Sequence, residues 1–273
     1  MSTVRHAHAH ATAEPGHGVP VLMYHQVTPR PHPAFRKYTV TVKAFRRQMA
    51  WLARGRYEPI GLDALLVARE RGAPLPRRAV VLTFDDGFSE CVERATPILR
   101  EHGFTATFFL VSGLVGKTSR WLVDEIGTEF PLAGWDDARA LVSMGFTCGA
   151  HSVTHPRLTR LDGQTCRREL VEARRTLEME LRCDVRYLAY PFGAHDARVR
   201  ALARDVGYVA ACSTDVGVST GEDDRFALVR VPVTCADTVP DFLWQLRTGE
   251  SLRGAARRRL RPLRHALVRR RTP

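Results

Sequence analysis

The chain has 273 residues, 44% hydrophobic and 26% charged, a balance that excludes global disorder and allows one large α/β domain or two small ones. Its formal charge of +12 would by itself suggest nucleic acid or an anionic surface as a partner. The nine arginines after Ser251, with no acid among them, carry +9 of that charge and leave the body nearly neutral at +3.

Residues 1–17 are polar and His-rich and read as a flexible end. They hold no apolar core of signal-peptide length, and no run of eighteen apolar residues occurs in the chain, which predicts a cytoplasmic protein. PVLMYHQV, residues 20–27, reads as a first strand, and VKAFRRQMAWLARG as a helix with Phe45, Met49 and Leu52 on one face, ended by Gly55. YEPIGLDALLVARERG adds a short strand and a second helix. AVVLTF, bounded by Gly87, is a buried strand, followed by a helix from Ser89 to Gly103. FTATFFLVSG is β-rich, GWDDARALVSMG helical, FTCGA a strand, and Gly163 to Leu181 a long helix. VRYLAYPFG, GYVAACST and FALVRVPV are three further strands, with the helix HDARVRALARDVG between the first two. Seven or eight strand–helix units predict an α/β barrel with its chemistry at the carboxyl ends of the strands. The expected domain spans 18–248, followed by a basic tail over 249–273.

That tail interleaves Leu252, Ala256, Leu260, Leu263 and Leu267 with arginine at near-helical spacing, although Pro262 must break or kink a helix. It can lie on an anionic membrane surface or remain a solvated end. Nucleic acid is not expected, because no aromatic residues accompany the arginines. The six cysteines are scattered without a CxxC pair, read as free thiols, and offer no zinc site of their own.

TFDDGF sets Asp85 and Asp86 side by side at a strand tip, where like charges resist joint ionisation unless water dilutes them or a cation removes the repulsion. Asp-Asp-Gly is also ordinary turn chemistry, so these residues alone leave both readings open. HSVTHP places His151 and His155 four apart after another strand, a spacing that lets both imidazoles face one ion. Two histidines and a carboxylate make a three-ligand site with an open position, as in a catalytic zinc centre. One aspartate can then ligate the ion while the other serves as a base.

TFDDG, HSVTHPRL and YPFG together resemble the polysaccharide deacetylases of carbohydrate esterase family four, the NodB-homology family, over roughly residues 18–240. The resemblance implies a single-domain, distorted (β/α)7–8 barrel, a divalent metal, zinc before cobalt or nickel, and removal of the N-acetyl group from an amino sugar. It assigns Asp85 as the base and Asp86, His151 and His155 as ligands. Tyr190, Pro191, Phe192 and Gly193 would line the substrate and oxyanion site, with the Phe192 N–H as the donor.

Three positions depart from the family pattern. Ala189 stands where many members have an arginine that pairs with the base, and Arg230 in FALVRVPV is the substitute to orient Asp85. No tryptophan lies between Ser213 and Pro232, where an aromatic wall is expected. The late Leu-x-His acid is absent, and His25 in LMYHQV replaces it, an arrangement similar to the poly-N-acetylglucosamine deacetylase subgroup; His195 is a second candidate. The expected substrate is an N-acetylated sugar in a glycan or a lipid-linked or nucleotide-linked carrier. A small linear or cyclic amide is the alternative substrate, and a non-catalytic glycan-binding or membrane-scaffold protein the alternative class.

Overall fold

The computed structural model describes residues 18–252, so the His-rich start and the chain from 253 onward lie outside the described residues. Ten strands run β1 (Val21–Tyr24), β2 (Gln26–Thr28), β3 (Thr39–Thr41), β4 (Glu58–Pro59), β5 (Ala79–Phe84), β6 (Thr107–Leu110), β7 (Thr147–Ala150), β8 (Tyr187–Ala189), β9 (Ala210–Val216) and β10 (Leu228–Pro232). The helices are α1 (Val42–Arg54), α2 (Leu62–Arg71), α3 (Ser89–Glu101), α4 (Trp121–Ile126), α5 (Trp135–Ser143), α6 (Gly163–Leu181), α7 (Ala197–Val206) and α8 (Val239–Thr248).

β1 pairs in parallel with β5 on one side and with β10 on the other, and the order β5-β6-β7-β8-β9-β10 completes a closed ring of seven parallel strands. The expected barrel is therefore present as a (β/α)7 fold. β4 adds to β5 outside the ring, and β2 and β3 form a separate parallel pair. The expected first strand, 20–27, divides into β1 and β2, with His25 at the break. α4 and α8 had not been anticipated. α4 is only six residues long, while α8 did carry a legible signal, since Thr238 and Asp241 form a capping box ahead of its apolar face.

The side-chain period of two sorts each strand between two cores. Val80, Leu82 and Phe84 of β5 face outward to the helices, whereas Ala79 and Val81 face inward with Val21, Phe109, Tyr187, Ala189, Cys212 and Leu228. Leu62, Leu65 and Leu66 of α2 join that inner cluster and close the amino-terminal end of the barrel. Ion pairs from Arg186 to Asp63, Arg225 to Glu70 and Arg69 to Asp223 tie α2 to the segments around it. The buried inward positions nearest the opposite, carboxyl-terminal mouth, Thr83, Asp85 and Arg230, are polar.

Candidate metal centre and active site

Thr83 and Asp85 continue the inward register of β5, and Arg230 continues that of β10 from Leu228. β5 and β10 both flank β1, so a long side chain from one reaches the tip of the other. Arg230 donates from its two terminal nitrogens to Asp85 Oδ1 and Oδ2, each at 2.7 Å, and from Nε to the Ser213 carbonyl at 2.8 Å. One terminal nitrogen also lies 3.1 Å from Thr83 Oγ1. Arg230 is fully buried and Asp85 is 2% exposed. Burial works against the Asp85 charge, but the guanidinium outweighs it and holds the carboxyl below the usual carboxylate range.

Asp86 and Gly87 both take left-handed backbone, each with φ 72°. At Gly87 an added Cβ would lie 2.9 Å from Leu110 Cδ2, so a side chain there would be strained in both conformation and space. This turn faces Asp86 away from Asp85 and toward the histidines. His151 follows β7, and Ser152 and His155 turn the chain with φ 61° and 64°. Glu169 of α6 holds the middle of that turn, accepting from the N–H groups of Val153 (2.8 Å) and Thr154 (3.0 Å) and from the Thr154 hydroxyl (2.7 Å). The His155 N–H donates to Ser152 Oγ at 3.0 Å.

The result is that His151 Nε2 and His155 Nε2 each lie 3.3 Å from Asp86 Oδ1, all three residues being buried. The three ligand atoms lie within 4.8 Å of one another, a donor set that could hold a divalent ion. The two histidine–carboxylate separations match the about 3.3 Å between ligands of a tetrahedral centre, and two imidazoles with one carboxylate leave further positions open. Burial disfavours the Asp86 charge, yet the two histidines reverse this and keep the carboxyl strongly acidic.

The sequence profile of the family described as polysaccharide deacetylase matches residues 72–211, more than half of the chain. The chain belongs to the polysaccharide deacetylase family. YxkH of Bacillus subtilis (strain 168) is 23% identical over 217 residues, covering 79% of this chain and 71% of that one. The poly-beta-1,6-N-acetyl-D-glucosamine N-deacetylase of Escherichia coli (strain K12) is 35% identical over 107 residues, covering 38% of this chain but only 16% of that protein. Among solved structures, IcaB from Ammonifex degensii superposes with a TM-score of 0.73 at 21% identity, over 88% of this chain and all of that one, which shows a shared fold.

The remaining expected site residues of this family member fall into two groups. His25 sits at the mouth beside Tyr38, with ring centroids 5.1 Å apart, and feels the charges of Asp86 and Asp85; burial, the larger effect, pushes its imidazole toward the neutral form. Phe192, with φ 57°, sets its ring edge-on to His155 at 4.6 Å beneath the Arg157 guanidinium. Tyr190 and Gly193 instead build the turn: the Tyr190 hydroxyl donates to the Phe226 carbonyl at 2.9 Å, and the Gly193 N–H donates to the Tyr190 carbonyl at 2.8 Å. Pro191 has no N–H and the Tyr190 N–H donates to the Cys212 carbonyl at 3.1 Å, so of these four residues Phe192 alone has a main-chain N–H without a partner among the described residues. His195 is engaged by Asp215 and Arg200, at 3.3 Å each.

Sequence reasoning missed Glu169 and Trp121. Glu169 is one acid among several on a charged helix, with no local mark. Trp121 lies in the long segment after β6 that carried no assigned element, and its indole stacks on His155.

Proposed function

We propose that this chain is a divalent-metal-dependent N-deacetylase acting on N-acetylhexosamine units of a glycan or glycoconjugate. The observation that carries the reading is the convergence of Asp86, His151 and His155 beside an ionised Asp85 that is braced by Arg230. When bound there, a divalent ion, with zinc the first choice for this donor set, supplies a Lewis acid for the acetyl carbonyl and lowers the pKa of an attacking water.

Asp85 takes the proton from that water. Its oxygens retain lone pairs beyond those occupied by Arg230, and the guanidinium keeps the carboxylate charged and fixed in plane. The Phe192 N–H is the proposed main-chain donor to the oxyanion. The departing amine needs a proton, because an amide anion is too poor a leaving group. His25 is the proposed donor; the neighbouring aspartates favour its charged form but burial outweighs them, so its imidazole must take up a proton within the reaction before it can give one.

The test is acetate release from N-acetylglucosamine oligomers after chelation, with and without added zinc or cobalt, for the natural chain and for Asp85→Asn. Metal-restored release that the variant lacks is expected. Hydrolysis of small amides without release from any acetylated sugar would move the substrate class while leaving the site in place.

We also propose that the Arg-rich tail makes peripheral contact with an anionic membrane. Its support is the nine arginines beyond Leu252 and the partly exposed Trp51, Trp244 and Leu252 lining one groove with Arg78 and Arg247, where the described chain ends. Among the described residues no helix is long and apolar enough to cross a membrane. Equal sedimentation with anionic liposomes of the full chain and of one ending at Thr248 would remove the tail from this reading.

A further inference from the structure

The two histidines facing Asp86 are held by different forces. His151 has its second ring nitrogen, Nδ1, 2.7 Å from the Ala189 carbonyl, an acceptor that fixes both ring angle and tautomer and leaves Nε2 free to face Asp86. His155 is only 5% exposed, and among the described residues its buried Nδ1 has no polar partner. Hydrogen bonding through Nδ1 therefore does not hold that ring in plane.

Flat contact does. The Trp121 indole lies over the His155 imidazole with centroids 4.2 Å apart and planes 22° from parallel, and the Phe192 ring meets the same imidazole at 4.6 Å and 67°. Trp121 is itself held in place. It opens α4, whose next residue, Leu122, is buried; just before it the Ser119 N–H donates to the Phe130 carbonyl at 2.9 Å, and Ser119 Oγ accepts from the Phe130 N–H at 2.8 Å. The bridges Thr118–Pro131 and Phe88–Leu132 dock this segment against the loop that carries Asp86. The indole is thus presented by a hydrogen-bonded segment anchored beside the same turn that presents the carboxylate.

We infer that Trp121 is a positioning residue for metal binding: by stacking on His155 it sets the ring plane that a hydrogen bond to Nδ1 would otherwise set. Loss of an orienting partner behind a metal-bound histidine typically weakens affinity by about 10–100-fold. An aromatic stack is the weaker of the two devices, so the effect belongs at the lower end. It also follows that the flat ring matters and the indole nitrogen does not.

The inference rests on the metal-centre reading, and the experiment separates the two. Zinc affinity is measured by competition with a chromophoric chelator for the natural chain, Trp121→Leu, Trp121→Phe and Asp86→Ala, together with the melting temperature of each metal-free protein. Trp121→Leu keeps apolar cover without a flat ring and is expected to bind zinc about ten-fold more weakly, with an unchanged metal-free melting temperature. Trp121→Phe is expected to recover most of that loss. In the cobalt-loaded protein, the visible bands should shift in Trp121→Leu and return toward natural in Trp121→Phe. Unchanged zinc affinity in Trp121→Leu would overturn the inference, as would a loss of the same size in Trp121→Phe. A fall in metal-free melting temperature matching the affinity loss would also overturn it, by making Trp121 a plain stability residue. No zinc binding by the natural chain, or binding that Asp86→Ala leaves intact, would overturn the metal-centre reading and this inference with it.

Discussion

Arg230 and Asp85 form a two-point ion pair at 2.7 Å on each arm, fully sequestered from water although 145 residues separate them. Removing one partner of a buried pair strands the other charge, which commonly costs about 3–5 kcal/mol, whereas removing both costs far less. Arg230→Met should therefore destabilise the protein by about that amount in denaturant unfolding, and Arg230→Met combined with Asp85→Asn should recover a large part. Additive losses in the double variant would show that the pair is not the unit of stability. Arg230→Lys cannot reproduce the forked contact and should keep the fold with reduced acetate release.

Metal removal has a stability readout as well as a catalytic one. An ion bound by three buried ligands stabilises the folded form by about 2.7 kcal/mol at a free concentration of 100 times Kd. Thermal scans with added zinc should show a rise in melting temperature that chelator reverses, with one ion per chain by elemental analysis. Asp86→Ala should show neither the rise nor the ion.

Glu169 is expected to hold the histidine turn without touching an ion. Its carboxylate accepts three hydrogen bonds from Val153 and Thr154 at a place where Ser152 and His155 adopt left-handed backbone. Glu169→Ala should cost about 1–3 kcal/mol of stability and weaken zinc binding. Glu169→Gln, which keeps the acceptor oxygen, should lie between that variant and the natural chain in both measurements.

The thiols should divide by burial. Cys91, Cys148, Cys166 and Cys212 are buried, while Cys183 and Cys235 are partly accessible. Burial pushes the Cys148 and Cys212 thiols up to about 12, far from the thiolate that reacts. An aromatic disulfide reagent at pH 8 should label two thiols quickly in the native protein and all six after denaturation. Rapid native labelling of four or more would contradict the packing around β7 and β9.

Apart from α4, α8 and the break of the first strand at His25, the chain order of elements, the barrel class and the paired signatures at Asp85, Asp86, His151 and His155 were legible in the linear sequence. Each depends on local information: a two-residue alternation marks a strand and its faces, a turn ends it, and a four-residue spacing lets two side chains meet. Closure of the ring decided the rest. Alternation could place Arg230 on one face of β10 but could not say that β10 lies beside β1 with β5 on the far side, and that adjacency is what sets its guanidinium on Asp85. The same holds for Trp121 on His155 and for Glu169 beneath Val153 and Thr154, contacts between segments whose separation in sequence carries no periodic trace. Burial and facing are properties of a strand or helix taken alone, whereas a partner across the barrel is a property of which strands become neighbours, and only the closed fold settles that.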